Sequence, residues 1–218
     1  MRIHLLRHGQ TPHNVAGALD TARPGAGLTE LGQQQARAVV PALDGEPVDA
    51  VFCSPLVRTR LTAQPLADHR GLAVTEVEGL EEISAGDHEL ETSAEAIGAY
   101  DANLDAWMAG DLNHTLPGGA DGHAFLARYD AALRAVVAAT PSGGTAVVVS
   151  HGAAIRAYLV LRLGAPDRRL ANTARAVLDG DPDTGWTMTS WTGDPVGGSH
   201  LRDDRAHDVT GEPDPHVV

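Results

Sequence analysis

Two apolar runs of strand length, residues 3–6 (Ile-His-Leu-Leu) and 145–149 (Thr-Ala-Val-Val-Val), end in matching fashion, the first at Arg7-His8-Gly9 and the second at Ser150-His151-Gly152. A third run, residues 50–53, ends at Ser54-Pro55, where serine can cap a helix and proline suits its first turn. Between these runs lie segments of helical period. They cover 29–44 and 121–139, where Phe125, Leu126, Tyr129, Leu133, Val136 and Val137 share one face, and a shorter stretch through Ile155, Tyr158, Leu159 and Leu163. Further strands are expected near 174–179 and 186–192. Short apolar runs alternating with helices are the pattern of an α/β domain with a largely parallel sheet.

The 218 residues carry 16 basic against 29 acidic side chains, a formal charge of −13, which argues against a nucleic-acid or anionic-membrane partner. Every basic residue is arginine, so lysine Schiff-base chemistry and a phosphate-loop lysine are excluded. Cys53 stands alone, which excludes an internal disulfide and fits a reducing compartment. The first residues are too few and too charged for a signal peptide, and no run approaches membrane-spanning length, so the expected location is cytoplasmic. A hydrophobic content of 43% supports one continuous core. Between Arg70 and Arg128 there are 12 acidic residues and no basic one, so 84–120 reads as an inserted cap outside the sheet. The expected organisation is one domain over 1–193, followed by a polar, mobile tail over 194–218.

In open parallel sheets, ligands bind beyond the carboxyl ends of the strands. Three such ends supply Arg7-His8, the segment from Ser54 to Arg58, and His151. Two arginines with forked donors and two imidazoles meeting at one rim suit a dianionic oxygen cluster, with phosphate the natural ligand.

These residues resemble a known family. Arg7-His8-Gly9-Gln10-Thr11 with Asn14, Leu28-Thr29-Glu30-Leu31-Gly32, Ser54-Pro55-Leu56-Val57-Arg58-Thr59, Thr62-Ala63, Leu80-Glu81-Glu82-Ile83 with Gly86-Asp87, and Ser150-His151-Gly152 follow the order of motifs of the histidine phosphatase superfamily, in its phosphoglycerate mutase-like branch. The resemblance runs from about residue 3 to 192. It implies a three-layer α/β sandwich with a mostly parallel central sheet flanked by helices and a small inserted cap. It also implies a phosphohistidine intermediate, with His8 as nucleophile, Arg7, Arg58 and His151 as the phosphate pocket, and Glu82 as proton donor beside two other carboxylates, Glu81 and Glu89. Asn14 matches a position that touches phosphate, though an asparagine there can equally cap backbone amides. The physics agrees: an imidazole attacks phosphorus only when neutral, and adjacent arginines favour the neutral form while holding the phosphoryl oxygens. Arginines supply the charge a metal would bring, so no metal and no cofactor is expected.

Departures from the family pattern bear on the substrate. His88-Glu89-Leu90 replaces an aromatic followed by Glu-Gly, Gly118-Gly119-Ala120-Asp121 stands where Gly-Glu-Ser is usual, and the loop at Asp20-Thr21-Ala22-Arg23-Pro24 is longer by about a residue, which places Arg23 toward the substrate. The acidic cap would repel a bisphosphate. The expected activity is therefore hydrolysis of a small-molecule phosphomonoester. The alternatives are a cofactor-dependent mutase-type phosphotransferase and a non-catalytic phosphate-binding module. A homodimer is compatible with the sequence.

Overall fold

The computed structural model describes residues 1–203, 206 and 208–211. Six strands, β1 (Arg2–Arg7), β2 (Ala50–Cys53), β3 (Val74–Glu76), β4 (Thr145–Ser150), β5 (Arg175–Asp181) and β6 (Gly185–Thr192), form one sheet in the order β3-β2-β4-β1-β5-β6. The first four run parallel, as expected. β5 pairs antiparallel with β1 and β6 antiparallel with β5, so the late strands add an antiparallel hairpin to one edge.

Side-chain alternation along these strands builds the three layers. Ile3, Leu5, Phe52, Ala146 and Val148 face a core shared with α4 (Ala94–Met108), α5 (Gly122–Ala139) and α6 (Gly152–Leu163). Leu6, Val51, Cys53, Val147 and Val149 face α2 (Glu30–Ala42) and α3 (Val57–Arg70). β4 is buried along its whole length because helices cover both faces, which is why it reads as an unbroken apolar run. Burial also pushes the Cys53 thiol up to about 11, the behaviour of a small core residue.

Residues 84–120 lie outside the sheet, in a single 3₁₀ turn, α4 and connecting loops. α4 shares the main core, with Trp107 stacked on Phe125 of α5 at 5.7 Å between ring centroids. The polar tail was expected to be mobile, and its described part instead packs on the domain: Leu201 and Thr210 are buried, and the Gly211 carbonyl accepts from the Leu170 amide. The rest of that segment, 204, 205, 207 and 212–218, lies outside the described residues.

The register sets the site. Arg7 is opposite Ser150 and Val149 is opposite Cys53, so the carboxyl ends of β1, β4 and β2 deliver Arg7-His8, His151 and Ser54 to one rim. The loop after β1 passes the start of α2 so closely that a Cβ on Gly9 would lie 2.7 Å from the Gly32 carbonyl oxygen, and one on Gly32 2.1 Å from that of Gln10. Glycine is required at both positions by that approach.

Candidate active site

His8 follows β1 directly and is 2% exposed. Its Nδ1 lies 2.8 Å from the Gly9 carbonyl oxygen. A carbonyl only accepts, so Nδ1 holds the proton and Nε2 keeps a lone pair, which accepts from Arg58 Nε at 3.1 Å. Burial first, then the charges of Arg58 and Arg7, hold this imidazole well below the ordinary histidine range. His8 is thus a neutral imidazole with its nucleophilic nitrogen turned toward an arginine.

His151 lies edge-on to it, with ring centroids 5.2 Å apart. Its Nε2 is 2.7 Å from Ser54 Oγ. Ser54 was expected to cap the helix after β2. That helix starts at Val57 with Leu56 as N-cap and no side-chain cap, and the serine hydroxyl bonds His151 instead. A hydroxyl donating to Nε2 leaves the proton on Nδ1, which has no partner among the described residues. Burial and Arg58 keep His151 neutral as well.

Both arginines lie on carboxylates that local sequence reading missed. Arg58 donates through Nη2 to the Asp20 backbone carbonyl at 2.8 Å, and its Nη1 is 3.4 Å from the Asp20 carboxylate. That carboxylate also takes His13 Nδ1 and the Ala26 amide, which fixes the lengthened loop. Arg7, fully buried, forks onto Asp208 of the C-terminal segment at 2.5 and 2.6 Å and also donates to the Leu170 carbonyl and Thr210 Oγ1. Its four terminal N–H groups are therefore all used, and Nε alone has no partner among the described residues. Asn14 serves both of its expected purposes in part. Its side chain accepts from the Thr11 amide at the start of α1 (Pro12–Ala16), and its Nδ2 donates to Asp208 at 3.2 Å. The long loop around Asp20 was a signal for one of these contacts. Nothing distinguished Asp208 from the other aspartates of the tail.

The three neighbouring carboxylates differ in setting. Glu89 accepts from the Thr21 and Ala22 amides, and Glu81 binds Arg23 and the Gly79 amide. Glu82 is 3% exposed and caps the start of α6: one oxygen accepts from Ile83 and Ala154 at 2.9 and 2.8 Å, the other from Ala153 at 3.2 Å. Burial raises its pKa, against the opposing pull of those amides, Arg58 and Arg7. Arg128 pins the loop, donating to the carbonyls of Gly79, Glu81 and Glu82. Beside Glu82 opens a cavity of about 410 Å³ lined by Arg23, Glu78, Glu81, Trp107, Phe125 and Arg128 among others. Arg23 is at this cavity, paired with Glu78 and Glu81, while the set around His8 lies deeper. Arg156, for which the sequence left solvent and pocket equally open, is buried and paired with Asp167.

A buried imidazole with a lone pair on Nε2, two arginines and a second imidazole at the carboxyl ends of one sheet define an oxyanion-binding α/β protein. The chain belongs to the histidine phosphatase superfamily, branch 1, whose family model it matches over residues 3–193. It is 38% identical over 219 residues to PE-PGRS family protein PE_PGRS11 of Mycobacterium tuberculosis, a match covering 91% of this chain but only 38% of that longer protein. It is 30% identical over 167 residues to the adenosylcobalamin/alpha-ribazole phosphatase of Escherichia coli, covering 76% of this chain and 81% of that one. Among solved structures, a mycobacterial glucosyl-3-phosphoglycerate phosphatase superposes with a TM-score of 0.74 at 28% identity, over 88% of this chain and 98% of that one. Among the described residues no three His, Cys, Asp or Glu side chains are grouped to hold a metal ion, and no helix is long and apolar enough to cross a membrane.

Proposed function

We propose that this chain is a phosphatase that hydrolyses a small-molecule phosphomonoester through a phosphohistidine on His8. The observation that carries the reading is a set of buried nitrogens beside that imidazole, Arg7 Nε, Arg58 Nη1 and His151 Nδ1, none with a partner among the described residues. Buried donors are nearly always satisfied, so such a group is a site built for an oxyanion. In the first step His8 Nε2 attacks phosphorus, the N–P bond forms as the P–O bond to the alcohol breaks, and Glu82 delivers a proton to the departing oxygen. In the second, water attacks the phosphohistidine, Glu82 takes the proton, and the N–P bond breaks to release inorganic phosphate. Charge on the equatorial oxygens meets fixed donors, where most catalysis of phosphoryl transfer arises.

Membership of the family and the phosphatases among its relatives support this reading, as does the acidic character of 84–120, which disfavours a bisphosphorylated mutase intermediate. A binding module would not need Glu82. Metal independence and a cytoplasmic location belong to the same proposal, as do the absence of a nucleic-acid partner and a homodimeric assembly compatible with it. The test is turnover of an aryl phosphate in the presence of chelator, with an alkaline quench to trap the acid-labile phosphohistidine. Wild-type protein should turn over and trap label, and His8→Ala should do neither. Wild-type turnover in His8→Ala, or loss of activity to chelator, would overturn the mechanism.

A further inference from the structure

The cavity beside Glu82 lies where the proton donor meets the departing alcohol, and its lining specifies that alcohol. The inference rests on the phosphatase reading and deepens it. Both of its arginines are already engaged. Arg23 donates through Nη1 to Glu78 at 3.0 Å, and its Nη2 contacts both Glu78 and Glu81. Arg128 spends its terminal N–H groups on three backbone carbonyls, and its guanidinium lies 5.1 Å from the centre of the Phe125 ring. Glu78, Glu81 and Glu82 outnumber these two cations, so a carboxylate or second phosphate entering the cavity would meet like charge and no free cation. The remaining character is aromatic: Trp107 and Phe125 stack with their planes 20° apart, and both rings border the space. A cavity of about 410 Å³ accepts a group the size of one or two rings.

We propose that the leaving group is an uncharged, ring-bearing alcohol, and that Glu78 and Glu81, by neutralising Arg23, are the residues that exclude carboxylate-bearing phosphate esters. Arg23 is then part of a selectivity gate and not a ligand of substrate anions. Two esters with the same phosphoryl group separate the possibilities, 2-phenylethyl phosphate with its neutral ring and 3-phosphoglycerate with its carboxylate.

The experiment measures kcat/KM for both esters with wild-type protein, Glu78→Gln and the Glu78→Gln/Glu81→Gln double variant. The Glu78 side chain is 76% exposed, so its substitution leaves the fold intact. Wild-type protein should prefer the ring-bearing ester by about tenfold or more. Freeing Arg23 should raise kcat/KM for 3-phosphoglycerate several-fold while the ring-bearing ester changes little, so the preference narrows. Equal or better use of 3-phosphoglycerate by wild-type protein overturns the proposal with the phosphatase reading left standing, and so does an unchanged preference in both variants. Failure to hydrolyse either ester or an aryl phosphate overturns the phosphatase reading itself, and the proposal with it.

Discussion

Glu82→Gln keeps the length of the side chain and the oxygen that accepts from Ile83 and Ala154, but puts an NH₂ where the other oxygen accepted from Ala153. One buried amide then faces a donor, at a cost of about 1–3 kcal/mol, partly offset because a buried carboxylate no longer has to be desolvated. The fold should survive. The chemical loss is larger and depends on the substrate. General acid catalysis contributes about 10²- to 10⁴-fold, or roughly 2.7–5.5 kcal/mol of barrier, and only when the leaving oxygen needs a proton. A nitrophenolate leaves unprotonated and an alkoxide does not. With p-nitrophenyl phosphate, a rapid-mixing experiment should show a burst of nitrophenol at close to the wild-type rate, followed by slow turnover as hydrolysis of the phosphohistidine lacks its base. With an alkyl phosphate, the first step itself should fall by the full factor. Equal slowing of the first step for both esters would refute the argument and leave Glu82 as a cap of α6.

Three further outcomes follow from the geometry. His4, His8 and His151 are buried with depressed pKa values, His4 at about 4. Below about pH 6.5 the unfolded chain therefore binds protons that the folded chain refuses, so stability should fall with pH by about 1.4 kcal/mol per unit for each histidine, the share of His4 ending near pH 4. Glu82, raised by burial, acts oppositely just above 4.5 but is one group against three, so urea titrations giving a flat stability between pH 7 and pH 5 would contradict the burial argument. Asp208→Asn removes the charge that holds the fork of Arg7 and should cost about 1–3 kcal/mol in phosphate-free buffer. Inorganic phosphate should then raise the melting temperature of the variant more than that of the wild type, because the anion takes over the released donors; equal shifts would show that Asp208 and phosphate do not compete. Ser54→Ala removes the hydroxyl that orients His151, and should lower kcat more than it raises KM, with Ser54→Thr restoring part of the loss; a variant with wild-type kcat would leave the serine without a part in the site.

The sequence by itself determined the layers and the rim. Strand-length runs alternating with helical period dictate a sheet covered on both faces, and the residues that end β1 and β4 had to emerge on one side once those strands ran parallel. Arg7, His8, Arg58 and His151 were legible because each is set by its own short segment. The antiparallel edge was not, because β5 and β6 carry no local mark of direction. Only the tertiary structure decided which carboxylate is buried at the start of α6, which nitrogen of His8 carries the proton, and which acids hold the two arginines. Asp208 meets Arg7 across 201 residues of chain and Glu82 meets Ala154 across 72, and contacts at that separation depend on packing and burial that no local pattern encodes. The same holds for the cavity, whose aromatic wall comes from α4 and α5 and whose acidic edge comes from the loop before Glu82, brought together only by the fold.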